Sequence, residues 1–535
     1  MKKLLYSYFL GLLLVSFDSL PAQELIVFED IPGRETSDHY QCRIKFESQS
    51  DSEWREAHVL QTRAKEASED PENAYYDILR GFTASWIAFE SDFKGDQVVV
   101  EISKKDGSPI TKAMVRPVGD ASPAKIINGK AYVTFSEPAN VNVDINGQME
   151  DNYTGFGYKG PKVHTITIFA NPVFPKPNIN DSSVKVLQPG ENINTLDRNT
   201  WQTIVFAPGV HNIGLGFQIL NDETIYIPGN AVVKGTIHPL NKWGNDASKN
   251  FKVYGSGTLS SEHIVRHPDD DDNKLVKPFT YQAEGAHLEG FVIADPAFHA
   301  LNMNHSSGNG IHPNIYKNIK ILAWRKNSDG INAFRDSEVS DCFFRVQDDA
   351  FYLGASNVNQ HDNVVWTDAN GAVLFLQNIK DGSTCNFNDI KVIYQRSQWH
   401  WWHGGRTISF RSLRPGNTLA NIHVKNILVE DPLPAFPPFY GRMESRGNSK
   451  EDIVMENLVF ENIHQKHDGV STSLDPKKGK PRNTLTGLDE GRKIKNIVFK
   501  NCAFNGKPLT RFEDGNFFTE FVDPETVKFT YTLEK

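Results

Sequence analysis

The chain has 535 residues, which predicts two or three domains because a single hydrophobic core rarely grows beyond about 250–300 residues. Hydrophobic residues make up 39% and charged residues 23%, as is usual in soluble globular proteins. The formal net charge of −9 argues against a nucleic-acid partner, and weakly against a polyanionic ligand, because a negative field repels anions.

The N-terminus has the three parts of a secretory signal peptide. Lys2-Lys3 are the charged region, Leu4–Phe17 the apolar region, and Leu20-Pro21-Ala22 an acceptable cleavage site. The apolar run is shorter than the roughly 20 residues that a membrane span needs. We therefore predict that residues 1–22 are a signal peptide, that the protein is secreted or periplasmic, and that it has no membrane anchor.

The four cysteines, Cys42, Cys342, Cys385 and Cys502, are far apart and match no metal-ligand spacing. One disulfide is possible in an oxidising compartment, but nothing in the sequence selects a pair. The chain has no nucleotide-binding loop, zinc motif or EF-hand. We predict neither a cofactor nor a bound metal.

The first part of the chain contains short alternating stretches separated by turn dipeptides such as Asp106-Gly107 and Asn128-Gly129. Short strands with hairpin turns and no long helical pattern predict an N-terminal β-sandwich over residues 23–172. The stretches are Tyr40–Phe46, Trp86–Phe89, Gln97–Ser103, Ala131–Phe135, Val141–Ile145 and His164–Phe169. Three prolines between Pro172 and Pro177 predict a stiff linker, which we place at residues 173–182.

From residue 183 onward, short β-type runs recur about every 20 to 30 residues, each ending near Asn, Asp or Gly. Asn followed by alternating apolar residues recurs, as in NIKIL, NDIKVIY and ENLVFENI. The two-residue alternation indicates a stacked β unit, so residues 183–535 are predicted to form a parallel β-helix. Asn is expected at its turns because it tolerates a positive φ. A β-propeller is the alternative, but its four-stranded blades need a longer period.

Three carboxylates are placed among apolar residues in the middle of this repeat. Asp329 lies in N-S-D-G-I, and Asp348 and Asp349 lie in V-Q-D-D-A-F, 19 residues further on. If 19 residues make one coil, Asp329 and Asp348 are vertical neighbours about 4.8 Å apart, with Asp349 beside them. Adjacent carboxylates repel each other, so their pKa values should differ. We expect Asn327 and Gln347 to orient the cluster through hydrogen bonds.

Three carboxylates on an open sheet face suit the hydrolysis of a glycosidic bond. One donates a proton to the leaving oxygen, and the others activate water. The alternatives are a bound calcium ion or a ladder of turn residues, since Asp is common in coil turns.

The stretch S-Q-W-H-W-W-H-G-G-R, from Ser397 to Arg406, is the second unusual segment. Trp provides an apolar face on which sugar rings stack, and consecutive aromatic residues in a strand cannot all point inward. The alternative is a loop packed on the flank of the β-helix. The predicted sugar-binding residues here are Trp399, His400, Trp401, Trp402, His403 and Arg406.

Four further residues are candidates for the same groove: Asn327 beside the aspartates, and His299, Tyr352 and Trp366 as groove walls. A structural role is the alternative for His299. The run Asp269–Asp272 is read as a solvated loop.

The N-S-D-G of Asn327–Gly330, followed by the V-x-D-D of Val346–Asp349, resembles the signature of the polygalacturonase-like glycosidases. The resemblance is closer to glycoside hydrolase family 49, the dextranase and isopullulanase family, which also has an N-terminal β-sandwich joined by a linker. It implies a right-handed parallel β-helix and inverting endo-hydrolysis. It also implies that Asp348 is the general acid and that Asp329 and Asp349 activate water.

The sequence departs from pectinases in two places. A Gly-His-Gly triplet is missing after the aspartates, with Trp402–Gly405 (W-H-G-G) as a partial match, and the Arg-Ile-Lys motif is reduced to Arg406-Thr407-Ile408. Both differences argue against a uronic-acid substrate. We therefore expect a secreted, monomeric, inverting glycoside hydrolase whose partner is a polysaccharide, an α-glucan such as dextran.

Three alternatives remain open at this point. One is a hydrolase of a pectic or sulfated algal galactan, which is favoured by basic residues near the motif. These residues are Lys326, Arg345, Arg396, Arg406 and Arg411. The others are a polysaccharide lyase, which would need a base and calcium, and a non-catalytic carbohydrate-binding β-helix.

Overall fold

The computed structural model describes most of the chain after the predicted signal peptide, and nearly all of the described part is β-structure. The described residues are 23–71, 75–153, 158, 160–198, 200–239, 248–266, 274–305, 312–333, 335–353, 357–377, 383–397, 405–412, 418–432, 436–444, 453–466 and 482–532. Helices in these ranges are single turns, at Asp51–Glu53, Asp77–Leu79, Gln148–Asp151, Ile193–Thr195, Lys274–Val276, Phe512–Gly515 and Pro524–Thr526. Within the same ranges, none is long and apolar enough to cross a membrane.

The N-terminal part contains two sheets. The first has six strands: Leu25–Val27, Leu60–Arg63, Thr83–Ser91, Ala113–Arg116, Ala139–Ile145 and His164–Pro172. The second has five: Tyr40–Phe46, Arg55–Ala57, Val98–Lys104, Lys125–Ile127 and Lys130–Phe135. Alternate residues of both sheets, such as Ile44, Val100 and Ile168, meet in one buried apolar cluster, so the sheets bury a common face.

The rest of the chain is built from three rows of parallel strands. The first row has Val184–Leu187, Thr203–Phe206, Thr224–Tyr226, Lys252–Tyr254, His287–Glu289, Asn314–Lys317, Ser337–Ser340 and Val358–His361. The second has Gly209–Ile219, Ala231–Pro239, Thr258–Ser260, Val292–Ala294, Lys320–Leu322, Phe343–Val346 and Asn363–Ala369. The longer strands Cys385–Ser397, Thr418–Val429 and Val454–Gln465 extend both rows, and Lys495–Lys500, Ala503–Phe504, Lys507–Pro508 and Val527–Thr530 close them.

The third row lies on the remaining side of the coils. Its strands are Ser248–Lys249, Phe279–Glu284, Leu301–His305, Phe351–Leu353, Leu374–Gln377, Ile408–Ser412, Phe439–Met443, Asn483–Thr486 and Phe517–Glu520. Ile331 pairs in parallel with both Leu301 and Phe351, and so joins the two halves of this row. Side chains from all three rows fill one continuous apolar core. The predicted parallel β-helix is confirmed.

The turn between the first and second rows repeats the same backbone feature. The φ values there lie between +53° and +57°, as the recurring Asn and Asp residues predict. The residues are Asn318, Asp341, Asp362 and Asp389. In later coils their amides form a ladder, in which Asn426 donates to the carboxylate of Asp389 at 2.8 Å. This chemistry explains the Asn repeat without any functional role.

The N-terminal sheets pack against the second row through a buried aromatic group that we call the joining cluster. Its members include Trp86 and Phe169 from the N-terminal sheets, and Trp324, Phe343, Trp366 and Tyr394 from the β-helix. The rings of Phe169 and Phe343 meet edge to face at 5.5 Å. All four cysteines are buried.

Candidate active site

The three aspartates lie in the turns that lead from the second row of strands to the third, on two consecutive coils. Ile331 pairs with Phe351, a register of 20 residues, and the Gly330 N–H donates to the Asp349 carbonyl at 2.9 Å. The expectation of a 19-residue register is therefore wrong. Asp329 is aligned with Asp349, and Asp348 precedes the aligned pair, because pairing follows the apolar residues that enter the core.

Burial dominates the electrostatics of this cluster. Asp329 is 4% exposed, Asp349 is 9% exposed, and Asp348 is half-buried. Burial raises the pKa of Asp348 to about 7 and raises the pKa values of Asp329 and Asp349 well above the usual range. The charge of Asp348 raises the pKa of both neighbours further. These carboxyls therefore hold their protons to a higher pH than ordinary carboxyls do, as a general acid requires.

Backbone and amide groups hold two of these carboxylates in place. Asp348 accepts through Oδ1 from the Asp349 N–H at 3.1 Å and through Oδ2 from Asn370 Nδ2 at 2.9 Å. Asp349 Oδ1 accepts from the Ala372 N–H at 2.7 Å. Gly371 lies between these donors with φ at +83°, and a Cβ there would lie 2.0 Å from the carbonyl carbon of Asp348. The next coil therefore packs its backbone directly on the two aspartates.

His299 faces the third carboxylate. Its Nε2 lies 3.6 Å from Asp329 Oδ1, and its Nδ1 accepts from Asn332 Nδ2 at 2.6 Å. Burial, followed by the charges of Lys277 and Arg266, lowers the pKa of His299 well below its usual value. The imidazole is thus neutral, with its proton on the Nε2 that faces Asp329.

Two cations act on the cluster from either side. The charge of Lys277 lowers the pKa of Asp329, and that of Arg411 lowers the pKa of Asp349, each by less than burial raises it. Arg411 also forms an ion pair with Glu444. The cations offset only part of the cost of burying the acids.

Among the other predicted residues, Tyr352 and His299 lie beside the aspartates. The ring of Tyr352 is half-buried, with its centroid 6.5 Å from that of His299 and 5.4 Å from that of Phe375. Asn327 is exposed, with φ at +56°, and makes no hydrogen bond to the aspartates among the described contacts. Gln347 is buried and donates instead to the Ala323 carbonyl at 3.0 Å. Neither amide orients the cluster in the way the sequence suggested.

Trp366 and Arg406 are placed differently from the sequence expectation. Trp366 is 1% exposed, lies in the joining cluster, and has the guanidinium of Arg345 over its ring at 4.7 Å. Arg406 is 3% exposed and donates to the Pro437 carbonyl at 3.1 Å. Because both side chains are almost fully buried, neither has an exposed surface that a sugar could contact. The predicted residues Trp399, His400, Trp401, Trp402 and His403, and the run Asp269–Asp272, lie outside the described residues.

Three residues at the site were not singled out from the sequence: Asn332, Asn370 and Tyr76. Asn370 lies in D-A-N-G-A, 22 residues after Asp348, so a search for polar residues one coil apart would have found it. Tyr76 belongs to the N-terminal part, is 5% exposed, and has a hydroxyl pKa that is raised first by burial and then by the charge of Asp348. No pattern in the sequence links residues so far apart.

The described residues contain no group of three or more His, Cys, Asp or Glu side chains arranged to hold a metal ion. Chemically, the site offers carboxyls that hold protons near neutrality and a neutral imidazole. These groups suit proton transfer to and from a bound substrate.

No protein-family model matches the chain. In sequence it is 23% identical over 424 residues to a dextranase of Arthrobacter globiformis, a match that covers 68% of this chain and 64% of that enzyme. It is 22% identical over 343 residues to an isopullulanase of Aspergillus niger, with 58% of each protein covered. The predicted resemblance to the dextranase and isopullulanase family is confirmed. The chain matches less than two thirds of the length of these relatives.

The solved structure of Dex49A from Penicillium minioluteum superposes with a TM-score of 0.70 at 16% identity, covering 94% of this chain and 96% of that chain. A structural likeness at this low identity establishes the shared fold. It therefore agrees with the parallel strand pairings described above.

Proposed function

We propose that this protein is a secreted, inverting glycoside hydrolase that cleaves an α-glucan such as dextran within the chain. The observation that carries the proposal is the meeting of Asp329, Asp348 and Asp349 on successive coils, where burial raises all three pKa values, that of Asp348 to about 7. The sequence similarity to dextranases and an isopullulanase supports an α-glucan substrate.

In this proposal Asp348 is the general acid, and Asp329 and Asp349 activate water. The backbone register supports this assignment of roles, because it aligns Asp329 with Asp349 and leaves Asp348 outside that pair. Protonation of Asp348 removes the charge that raises the pKa of Asp329, and the His299 N–H that faces Asp329 favours the ionised form of this carboxylate, which must accept a proton from water. Asp348 is the least buried of the three, as suits a group that must reach the leaving oxygen.

Product stereochemistry tests the mechanism directly. If water enters on the face opposite Asp348, the acid and base carboxyls stand roughly 6.5–9.5 Å apart across the cleavage point, and the product anomer is inverted. Proton NMR of freshly formed products should show inversion. Retained configuration would reject the assignment of roles.

The substrate is tested by reducing-end release over a panel of dextran, pullulan, pectic polysaccharide and sulfated galactan. We expect release from dextran first. An anionic substrate is less well supported by the structure than by the sequence, because four of the five basic residues that favoured it contact protein groups. Arg345 stacks on Trp324, Arg396 pairs with Asp431, Arg406 donates to the Pro437 carbonyl, and Arg411 pairs with Glu444.

The panel also separates an enzyme from a non-catalytic protein. A carbohydrate-binding β-helix would bind a polysaccharide without releasing reducing ends, and Asp348→Asn would leave that binding intact. A lyase would give products that absorb in the ultraviolet and would require calcium.

We propose further that residues 1–22 are a signal peptide, 23–172 a β-sandwich domain, 173–182 a linker and 183–535 the catalytic β-helix, and that the protein acts as a monomer. The common apolar core of the two N-terminal sheets supports the proposal that residues 23–172 form one domain. Mass spectrometry of the exported protein, with an N-terminus at Gln23, and light scattering test the first and last of these proposals.

A further inference from the structure

Asn302 and Asn332 occupy equivalent positions on consecutive coils beside the aspartates. Each follows one member of the parallel bridge between Leu301 and Ile331, and the Asn332 N–H donates to the Leu301 carbonyl at 2.8 Å. Equivalent residues of a parallel pair point to the same side, about 4.8 Å apart. Asn332 comes three residues after Asp329, so one turn carries both this amide and the carboxyl.

The amide nitrogen of Asn332 uses both of its N–H groups. One donates to His299 Nδ1 at 2.6 Å, and the other donates to Asn302 Oδ1 at 3.3 Å. The second bond orients the amide, because the Asn302 oxygen needs an N–H and not a carbonyl opposite it. Asn332 is 2% exposed, so this arrangement is shielded from water. Nδ1 of the imidazole can then only accept, and the ring proton must lie on Nε2.

The remaining surroundings of His299 fix its plane and oppose a positive charge on it. The ring of Phe298 stacks on the imidazole, with centroids 4.2 Å apart and planes tilted by 18°. The Arg266 guanidinium and the Lys277 ammonium lie over the Phe298 ring at 4.0 Å and 4.8 Å. Nε2 lies 3.6 Å from Asp329 Oδ1. The imidazole therefore stands between two cations and one carboxyl, and it presents an N–H to the carboxyl.

We propose that Asn332 is a positioning residue for His299, and that it holds the imidazole in the tautomer whose Nε2–H faces Asp329. Asn302 supports it by orienting its amide. An N–H directed at a carboxylate favours the ionised form, which Asp329 needs in order to activate water. The inference rests on the proposed function for its kinetic effect, but not for its effect on the imidazole.

Asn332→Ala should reduce kcat by roughly 10- to 100-fold, because a small misplacement of a group at the reacting centre has an effect of that size. KM should stay near its parent value, since Asn332 is buried and acts on His299 and not on the sugar. Steady-state kinetics on a polymeric substrate give both constants. A parent-like kcat would overturn the proposal.

Nitrogen-15 NMR of the imidazole measures the tautomer directly. In the parent, Nδ1 should give the shift of a nitrogen without a proton and Nε2 that of an N–H. In Asn332→Ala both shifts should become intermediate, because the ring exchanges between tautomers. The imidazole should also titrate at higher pH, because the N–H that opposes a proton on Nδ1 is gone. Unchanged shifts and titration would overturn the proposal. The titratable groups around the imidazole are Asp329, Lys277, Arg266 and Tyr352.

A double-variant cycle tests the part played by Asn302. Asn302→Ala removes the acceptor that orients the Asn332 amide, so it should cause a smaller loss of kcat and a smaller shift of the tautomer. Added to Asn332→Ala, it should cause no further loss. Losses that multiply would overturn the route through Asn332. If Asn332→Ala is too unstable to assay, Asn302→Ala tests the same link.

The matched control is Asn363→Ala, at another buried asparagine of the β-helix. Asn363 accepts from the Cys342 N–H at 2.9 Å and donates to the Val339 carbonyl at 3.2 Å. Its loss should lower the melting temperature at least as far as Asn332→Ala does, while kcat and the His299 nitrogen shifts stay at their parent values. Equal kinetic losses in both variants would overturn the proposal, because general loosening of the coils would then explain them.

Asp329→Asn separates this inference from the proposed function, since the nitrogen-15 spectra need no substrate. If Asp329→Asn keeps full activity, the proposed role of Asp329 is wrong, and the spectra alone decide the tautomer. If Asp329→Asn is inactive while Asn332→Ala keeps the parent kcat and nitrogen shifts, the positioning role alone is wrong.

Discussion

Two buried acidic sites lie in the same turn of neighbouring coils, and they have different partners. Asp295 pairs with Arg325 at 2.9 Å and accepts from Tyr75, so a cation and a hydroxyl offset part of the burial that raises its pKa. One coil later, Asp329 is joined by Asp348 and Asp349, so three acids share the site.

The partners of these three are mainly neutral. Asp348 and Asp349 accept from the Asn370 amide and from backbone N–H groups, and the charges of Lys277 and Arg411 lower pKa values less than burial raises them. A buried ion pair can be a structural element, whereas crowded and incompletely compensated carboxyls cost free energy. Their presence is better explained by chemistry than by stability.

The largest expected effect is on turnover. Asp348→Asn removes the proton donor, so kcat on a natural glycan should fall by about 10²–10⁴-fold. A substrate with a good leaving group should be partly spared, because it needs less protonation. Asp329→Asn and Asp349→Asn should not be rescued in this way. Steady-state kinetics on both substrate types provide the measurement.

The three variants should melt at or above the parent temperature, since neutralising one of three crowded carboxyls relieves repulsion. Unfolding of the variants, or their recovery on addition of calcium, would identify the cluster as a structural or metal site.

The second prediction concerns the compensated site. Arg325→Met leaves Asp295 buried without its cation, so the free energy of unfolding should fall by about 3–5 kcal/mol. Denaturant titration gives the value, and the surface variant Arg511→Met, which removes an exposed guanidinium 3.6 Å from Asp514, is the control that should change little. Equal stability losses at both positions would remove the contrast between the two acidic sites.

The third prediction concerns Gly371. A Cβ at this position meets the Asp348 carbonyl carbon at 2.0 Å, and φ is +83°. Gly371→Ala should therefore lower the free energy of unfolding by about 1–3 kcal/mol and reduce kcat by displacing both aspartates. Gly107→Ala also has a positive φ but meets nothing within 4 Å, so it isolates the backbone strain from the clash. Similar kinetics for both variants would contradict the close packing.

The smallest expected effect is on the pH dependence of stability. The pKa of Asp348 in the folded protein is about 7, above its ordinary value of 3.8. A carboxyl with a raised pKa stabilises the fold fully below its ordinary pKa, and this contribution is lost as pH rises through the folded pKa. The melting temperature should thus fall between about pH 4 and pH 7 more in the parent than in Asp348→Asn.

The control for this comparison is Asp106→Asn. Asp106 is exposed, and hydrogen bonds from Ser108 lower its pKa, so any contribution it makes has the opposite sign. If Asp348→Asn and the parent lose stability in parallel between these pH values, the raised pKa of Asp348 is wrong.

The parallel β-helix was predictable from the sequence because the same residue pattern recurs from coil to coil. The alternation of apolar residues and the recurring Asn both follow from the coil, and they are found where they were expected, as at Asn318 and Asp341. The register at the site was missed by one residue. The sequence-based alignment matched Asp329 with Asp348 because both are the first acidic residue of their motif. The backbone instead pairs Ile331 with Phe351, because this register keeps apolar residues in the core.

The candidate site was predictable only in part. Asp329, Asp348, Asp349, His299 and Tyr352 lie together as the sequence indicated. Tyr76 lies more than 250 residues before Asp348 in the chain, and a separation of this size leaves no local pattern in the sequence.

The joining cluster has a spectroscopic consequence. Trp86, Trp324 and Trp366 are three of the nine tryptophans in the chain, and all three lie where the N-terminal sheets meet the β-helix. Separation of the two parts would expose their indoles to water and shift their emission to the red before the coils themselves lose circular dichroism. Intrinsic fluorescence would therefore report whether the two parts come apart in a step of their own.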